Sequence, residues 1–282
     1  MKKRRSLIIT AALAAAVFLS TGCSGGSTAQ TSAEKTAAAA PAVTETEQTT
    51  TVPETEGPER RPNIVRTAEE LAGKKVIALT FDDGPNTGVT NEILDIAEEY
   101  GIKFSFFVIG QNINDETAKA MQRAHSLGCE INTHSFTHSD MTKLTAEEIT
   151  DEMDRTAELI NRYVGEYPKF FRPPYIAVSP ELYAAIDLPF ISGIGCNDWE
   201  DKVSVEKRVK FLTEKCPEGC IVLLHDQATN EKTAEAVRQA VPMMLEEGFE
   251  FVTVSELFVA KGITPAADKE VIYSYATESG WK

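Results

Sequence analysis

Two histidines stand four residues apart in THSFTHSD, residues 133 to 140, directly after a short β-rich run. Alone that spacing decides little, because pairs at i and i+4 arise by chance in many chains. Other reactive groups change the question. Asp82 and Asp83 adjoin in TFDDGP, Arg172 and Tyr175 lie in RPPY, Asp198 and Trp199 form DW, and His225 follows IVLL. Two imidazoles and one carboxylate make a three-ligand site with open positions, the arrangement of a catalytic zinc. His134 and His138 supply the nitrogens, and either Asp82 or Asp83 the oxygen. Of two adjacent acids, one binds metal and the other takes a proton. Each group also has a bland alternative. Acids before Gly-Pro cap turns, a strand histidine such as His225 sits in a core, as does Trp199, and an arginine before two prolines lies at the surface.

The elements that must position these groups alternate regularly. Strands are predicted over 74–81, 103–110, 129–134, 169–175, 189–195, 220–226 and 249–255. Helices are predicted over 90–101, 114–128, 145–165, 179–187, 204–216, 230–248 and 256–262, with a capping box at Thr145 and Glu148 and a break or kink at Pro242. Seven β/α units imply a parallel sheet, either open and doubly wound or closed as a barrel. Both place function at the C-terminal ends of strands. There lie Asp82 and Asp83 (strand one), His134 and His138 (three), Arg172 and Tyr175 (four), Asp198 and Trp199 (five) and His225 (six).

TFDDGP, HSFTH, RPPY, DW and LLH, in this order, resemble the five motifs of the polysaccharide deacetylases, the NodB-type family 4 of carbohydrate esterases. The resemblance runs from Lys74 to Lys261. It implies a distorted (β/α) barrel of about seven units, choosing barrel over open sheet. It further implies Asp83, His134 and His138 as ligands of a divalent metal, zinc first, with cobalt, nickel or iron as alternatives. Asp82 is similar to the family's general base, Arg172 to the arginine that orients it, and Tyr175 to the residue whose backbone N–H holds the oxyanion. Asp198 resembles the partner of the general acid and His225 that acid, while Trp199, Leu223 and Pro174 resemble the walls of the acetyl pocket. Two departures bear on substrate: Gly195 stands where the fourth motif often has an aspartate, and Ile176 where glycine commonly follows RPPY.

The implied activity is metal-dependent removal of N-acetyl groups from a glucosamine-containing polysaccharide, peptidoglycan or a chitin-like oligosaccharide. The alternatives are O-acetyl esterase action on xylan or another glycan, and a non-catalytic surface lipoprotein that binds glycan.

The N-terminus carries four cations, an apolar run and small residues before Cys23, which reads as an export signal over 1–22. STGC resembles a lipobox, so Cys23 is the expected lipidation site and membrane anchor; a secreted or signal-anchored protein is the alternative. Residues 23–66, rich in Thr, Ala, Glu and Pro, bury too little to order and are expected to form a tether. The catalytic domain is expected over 67–265 and a C-terminal tail over 266–282. Removing residues 1–22 takes away four of 28 cations and none of 43 anions, leaving a net charge of −19. That excludes a phosphate-backbone partner and leaves an acetylated polysaccharide as the substrate of an expected monomer. Cys216 and Cys220 stand close enough to pair, with two free thiols equally plausible; Cys129 and Cys196 read as small apolar residues, and His125 as structural.

Overall fold

The computed structural model describes residues 63–267 and 270–277. The signal segment, Cys23 and most of the expected tether lie outside the described residues.

At the centre runs β1 (Lys75–Asp82), whose residues after Lys75 are all buried, as in a strand covered on both faces. Parallel neighbours flank it: β2 (Ser105–Val108) on one side and β5 (Ile221–His225) on the other, with β3 (Glu130–Thr133) beyond β2. Single bridges complete the ring. Thr133 pairs with Phe171, Phe171 with Phe190 of β4 (Phe190–Ile191), and Ile194 with Val222 of β5. The sheet thus closes as a distorted parallel barrel. Strand β6 (Phe249–Phe251) pairs with the first half of β1, and β7 (Ile272–Tyr273) with β4.

Two expected strands shrink for local reasons. The stretch 169–175 pairs only at Phe171, because Pro173 and Pro174 offer no N–H to a ladder. The stretch 189–195 is regular only at Phe190–Ile191; Gly193 beyond it lies at φ 156°, and a Cβ there would sit 2.8 Å from that of Leu223. A further strand, β7, lies in the stretch set apart as a tail. Ser274 O accepts from Ile221 N, and Tyr275 bridges Cys220, so residues 270–277 belong to the barrel.

Helices α1 (Ala68–Leu71), α2 (Val89–Tyr100), α3 (Ala118–Ser126), α4 (Ala146–Val164), α5 (Pro180–Ala185), α6 (Val205–Lys215), α7 (Glu231–Glu246) and α8 (Val254–Ala260) connect the strands. The capping box at Thr145 and Glu148 opens α4, and Gly101 and Gly165, both left-handed, close α2 and α4. Helix α7 runs through Pro242 without a break in the assigned helix.

Strand alternation divides the core. Ile77, Leu79, Phe81, Phe106, Val222 and Leu224 face outward into a layer with Ile93 of α2 and Val237 and Val241 of α7. Val76, Ala78, Phe107 and Ile221 face inward with Ile191, Val252 and Tyr273. The same inward parity, continued upward, carries Asp82, His134 and His225 over the barrel's C-terminal mouth.

Candidate active site

Register brings the reactive residues together: Asp82, last of β1, is the direct pairing partner of His225, last of β5. His134 follows β3, and its Nδ1 lies 2.7 Å from the carbonyl of Arg172. The carbonyl can only accept, so Nδ1 carries the proton and Nε2 presents a lone pair to the cleft. Burial pushes the His134 pKa down to about 3, keeping the ring neutral. From His134 Nε2 and His138 Nε2, Asp83 Oδ1 is 3.6 and 3.4 Å away. One donor atom from each residue lies within 4.8 Å of the others. Asp83 Oδ1 is buried and has no hydrogen-bond partner among the described residues. An orphaned carboxylate oxygen facing two imidazoles is a donor set that a divalent metal satisfies, and zinc, cobalt, nickel and iron share that preference.

The second acid is held differently. Asp82 is 1% exposed and accepts from Arg172 Nη1 at 2.5 Å, while Arg172 Nη2 donates to Ser192 O. Burial raises the Asp82 pKa despite the opposing charges of Arg172 and His225. Across the cleft, Asp198 Oδ1 lies 2.9 Å from His225 Nδ1, and Asp198 Oδ2 accepts the His225 backbone N–H at 2.8 Å. Burial alone would lower the His225 pKa; the hydrogen bond and charge of Asp198, with Asp82 and Asp83, leave it raised. Trp199 stands edge-on to the His225 ring.

Asp82, Asp83, His134, His138 and His225 line one cleft of about 670 Å³ together with Tyr175, Ile176, Gly195, Trp199 and Leu223, while Arg172 and Asp198 are fully buried and do not line it. Pro174 is buried beneath this surface and does not line the cleft. The Tyr175 ring packs on that of His138, and its backbone N–H finds no acceptor among the described residues. A Cβ at Gly195 would lie 3.0 Å from Leu223 O, so the glycine keeps this wall low. Among the described residues, six non-glycine ones have left-handed backbones: Asp83, Ser135, His138, Tyr175, Ile176 and Asn197. All lie in loops at the barrel's C-terminal mouth, where strain is tolerated because the surroundings fix it.

The remaining predicted features are less involved in the site. His125 lies 3.4 Å from Glu166, away from the cleft, and the four described cysteines are free thiols. Several supporting residues had no sequence signal. Glu152 of α4 accepts from Phe136 N, Thr137 N and Thr137 Oγ1, bracing the loop that carries His138. Asn197 and Gln227 line the cleft without a motif. Asp226 had a signal, an acid directly after the strand-end His225. Burial raises its pKa to about 7, and it packs under the Asp82–Asp83–Gly84 turn, accepting from Thr90 Oγ1.

Comparison with known proteins agrees with this geometry. Residues 70–189 match the family profile described as polysaccharide deacetylase. A family 4 acetyl xylan esterase from Clostridium thermocellum, solved with a cobalt ion, is 37% identical, with a TM-score of 0.69 over 71% of this chain and 98% of that one. The chain belongs to the polysaccharide deacetylase family. Two further relatives are larger proteins. A bifunctional xylanase/deacetylase of Pseudobutyrivibrio xylanivorans is 46% identical over 198 residues, 70% of this chain and 33% of that protein. The peptidoglycan-N-acetylglucosamine deacetylase PgdA of Listeria monocytogenes serotype 1/2a is 32% identical over 203 residues, 71% of this chain and 43% of that protein. This deacetylase-family chain therefore spans well under half the length of these curated relatives.

Proposed function

We propose that the chain is a metal-dependent hydrolase that removes N-acetyl groups from a glucosamine-containing polysaccharide, with peptidoglycan the first substrate to test. The observation that carries this reading is one cleft holding the Asp83–His134–His138 donor set between an arginine-held carboxylate and an aspartate-held imidazole. Asp83, His134 and His138 would hold a divalent metal, which would supply Lewis acidity for activating a water and the acetyl carbonyl. Asp82 takes the proton of the attacking water, and Arg172 fixes its carboxylate. The Tyr175 N–H meets the charge developing on the acetyl oxygen. His225, kept protonated by Asp198, gives its proton to the leaving nitrogen. Trp199 and Leu223 receive the acetyl methyl, and Pro174 supports the turn that aims Tyr175.

The acid sequence and the export signal support a surface location, with Cys23 lipidated and the domain held beside the wall. Asn63 favours this arrangement: it donates to Cys129 O at the start of β3, at the end of the barrel opposite the cleft. A tether arriving there leaves the site open. Cys23→Ala should move the protein from the membrane fraction to the medium.

A second reading, O-acetyl esterase action on xylan, is favoured by the acetyl xylan esterase and xylanase/deacetylase relatives. An alkoxide leaves more easily than an amine, so it depends less on His225. Acetate release by zinc-loaded protein from chito-oligosaccharides, peptidoglycan and acetylated xylan separates the readings. Turnover of xylan alone overturns the first; no release from any substrate overturns both.

A further inference from the structure

Arg208 is a buried arginine that no motif points to. It lies on α6, is 1% exposed, and makes no ion pair among the described residues. Its Nε donates to Val203 O and one Nη2 proton to Glu200 O. Nη1 donates to Asn230 Oδ1 at 2.6 Å and to Thr233 Oγ1 at 2.7 Å. Both acceptors point onward to one place. Thr233 Oγ1 donates to Asp198 Oδ2 at 2.7 Å and Asn230 Nδ2 to the same oxygen at 3.3 Å, while Asn230 Nδ2 also reaches His225 O at 2.8 Å. Asn230 and Thr233 are buried, so the path runs through the protein interior, where polar interactions are stronger than in water.

The chemistry of an acid that must give up its proton explains the arrangement. While His225 is protonated, its charge compensates Asp198. Once the proton goes to the leaving group, Asp198 would be a buried anion without a counter-charge, which opposes the transfer. Arg208 supplies a fixed cation one side chain away, and the polarised Thr233 hydroxyl and Asn230 amide carry its influence to the carboxylate.

Resting on the reading of His225 as the leaving-group acid, we infer that Arg208 is a positioning residue for this reaction, acting through Asn230 and Thr233 on the Asp198–His225 pair. The other charged groups facing His225 are Asp82 and Asp83 at the end of β1 and Asp198 from the loop after β4, all anions, with Asp226 next to it in the chain. Arg208 is the cation that offsets them on the Asp198 side.

The test uses zinc-loaded full-length protein carrying Arg208→Met, Arg208→Lys or Thr233→Val. Removing the cation should make His225 hold its proton more tightly. Its ring-nitrogen NMR titration should move to higher pH in Arg208→Met and return towards wild type in Arg208→Lys. Because that measurement needs no turnover, it reads the inference even where the proposed activity fails. In kinetics, Arg208→Met should lower kcat on chitopentaose roughly tenfold more than on para-nitrophenyl acetate, whose phenolate leaves without a proton. In a His225→Ala background it should add nothing on chitopentaose. Thr233→Val, which removes one hydroxyl and keeps the volume, should show the same selective loss if Arg208→Met fails to fold. An unmoved His225 titration, or equal losses on both substrates, would overturn the inference.

Discussion

The two ends of the barrel both bury charged side chains and use them in opposite ways. At the N-terminal end, Glu256 is fully buried and accepts from Arg66 Nη2 at 3.0 Å, Lys103 Nζ at 2.7 Å and the backbone N–H of Arg66 and Thr253. Glu250 pairs there with Arg66 and Lys74. Around these two glutamates charge is paired within the protein. At the C-terminal end, among the described residues, Asp83 Oδ1 is buried without a hydrogen-bond partner, and six non-glycine residues are held in left-handed backbone. One end is closed, and the other is open, turning Asp83, His134 and His138 toward the cleft. A buried charge by itself therefore says little about function; its unused lone pairs say more.

Breaking the open end should have the largest effect on turnover and little on folding. Asp83→Ala and His134→Ala should abolish metal binding, read by calorimetric titration with zinc, and with it acetate release. Asp82→Asn should keep the metal and lower kcat by roughly 10³-fold, as expected for loss of a positioned general base. Normal turnover in all three would erase the contrast between the ends. Breaking the closed end should do the reverse. Glu256→Gln leaves Arg66 and Lys103 facing a neutral amide, and should lower unfolding free energy by about 3–5 kcal/mol while kcat in the folded protein stays within about twofold. Urea denaturation measures the first and acetate release the second.

Between these extremes lies the turn that joins both acids to the barrel. A Cβ at Gly84 would come within 2.5–2.9 Å of the Asp226 carboxylate. Gly84→Ala should therefore lower stability by about 1–3 kcal/mol through overpacking and reduce kcat by displacing Asp82 and Asp83. Asp226→Ala in the same chain should recover part of both. If the double variant is no better than Gly84→Ala, the turn is not seated on Asp226.

The sequence carried the fold wherever periodicity was long and uninterrupted. The run KVIALTFD and the amphipathic α4 are visible as such, and β1 and α4 stand where the pattern puts them. The fourth and fifth strands were overestimated because pairing there is limited by prolines and by Gly193, which depend on partners no local pattern names. Strand β7 was missed because a two-residue strand has no periodicity, and its place is set by contacts with β4 and Cys220. Asp82, Asp83, His134, His138, Asp198 and His225 were legible because each ends or follows a strand in a short motif. Arg208, Asn230, Thr233 and Glu152 were not. They lie on or beside helices, and only folding turns them inward.

The smallest expected effect separates the two ends by pH. Ion pairing holds the Glu256 pKa below its ordinary 4.5, although burial opposes this. The stability it contributes is thus present above pH 4.5 and lost as pH falls through the lowered value. For His225 the shift is upward from 6.5, since Asp198 outweighs burial. Its contribution is present below pH 6.5 and lost as pH rises through the raised value. Acid should therefore weaken the closed end and mild alkali the catalytic end. In metal-free protein, a plot of Tm against pH should lose part of its acid-side fall in Glu256→Gln and part of its alkaline fall in His225→Gln. Identical curves for both variants would mean that the two ends do not hold their charges in opposite ways, because a shared loss of packing lowers Tm at every pH and changes neither slope.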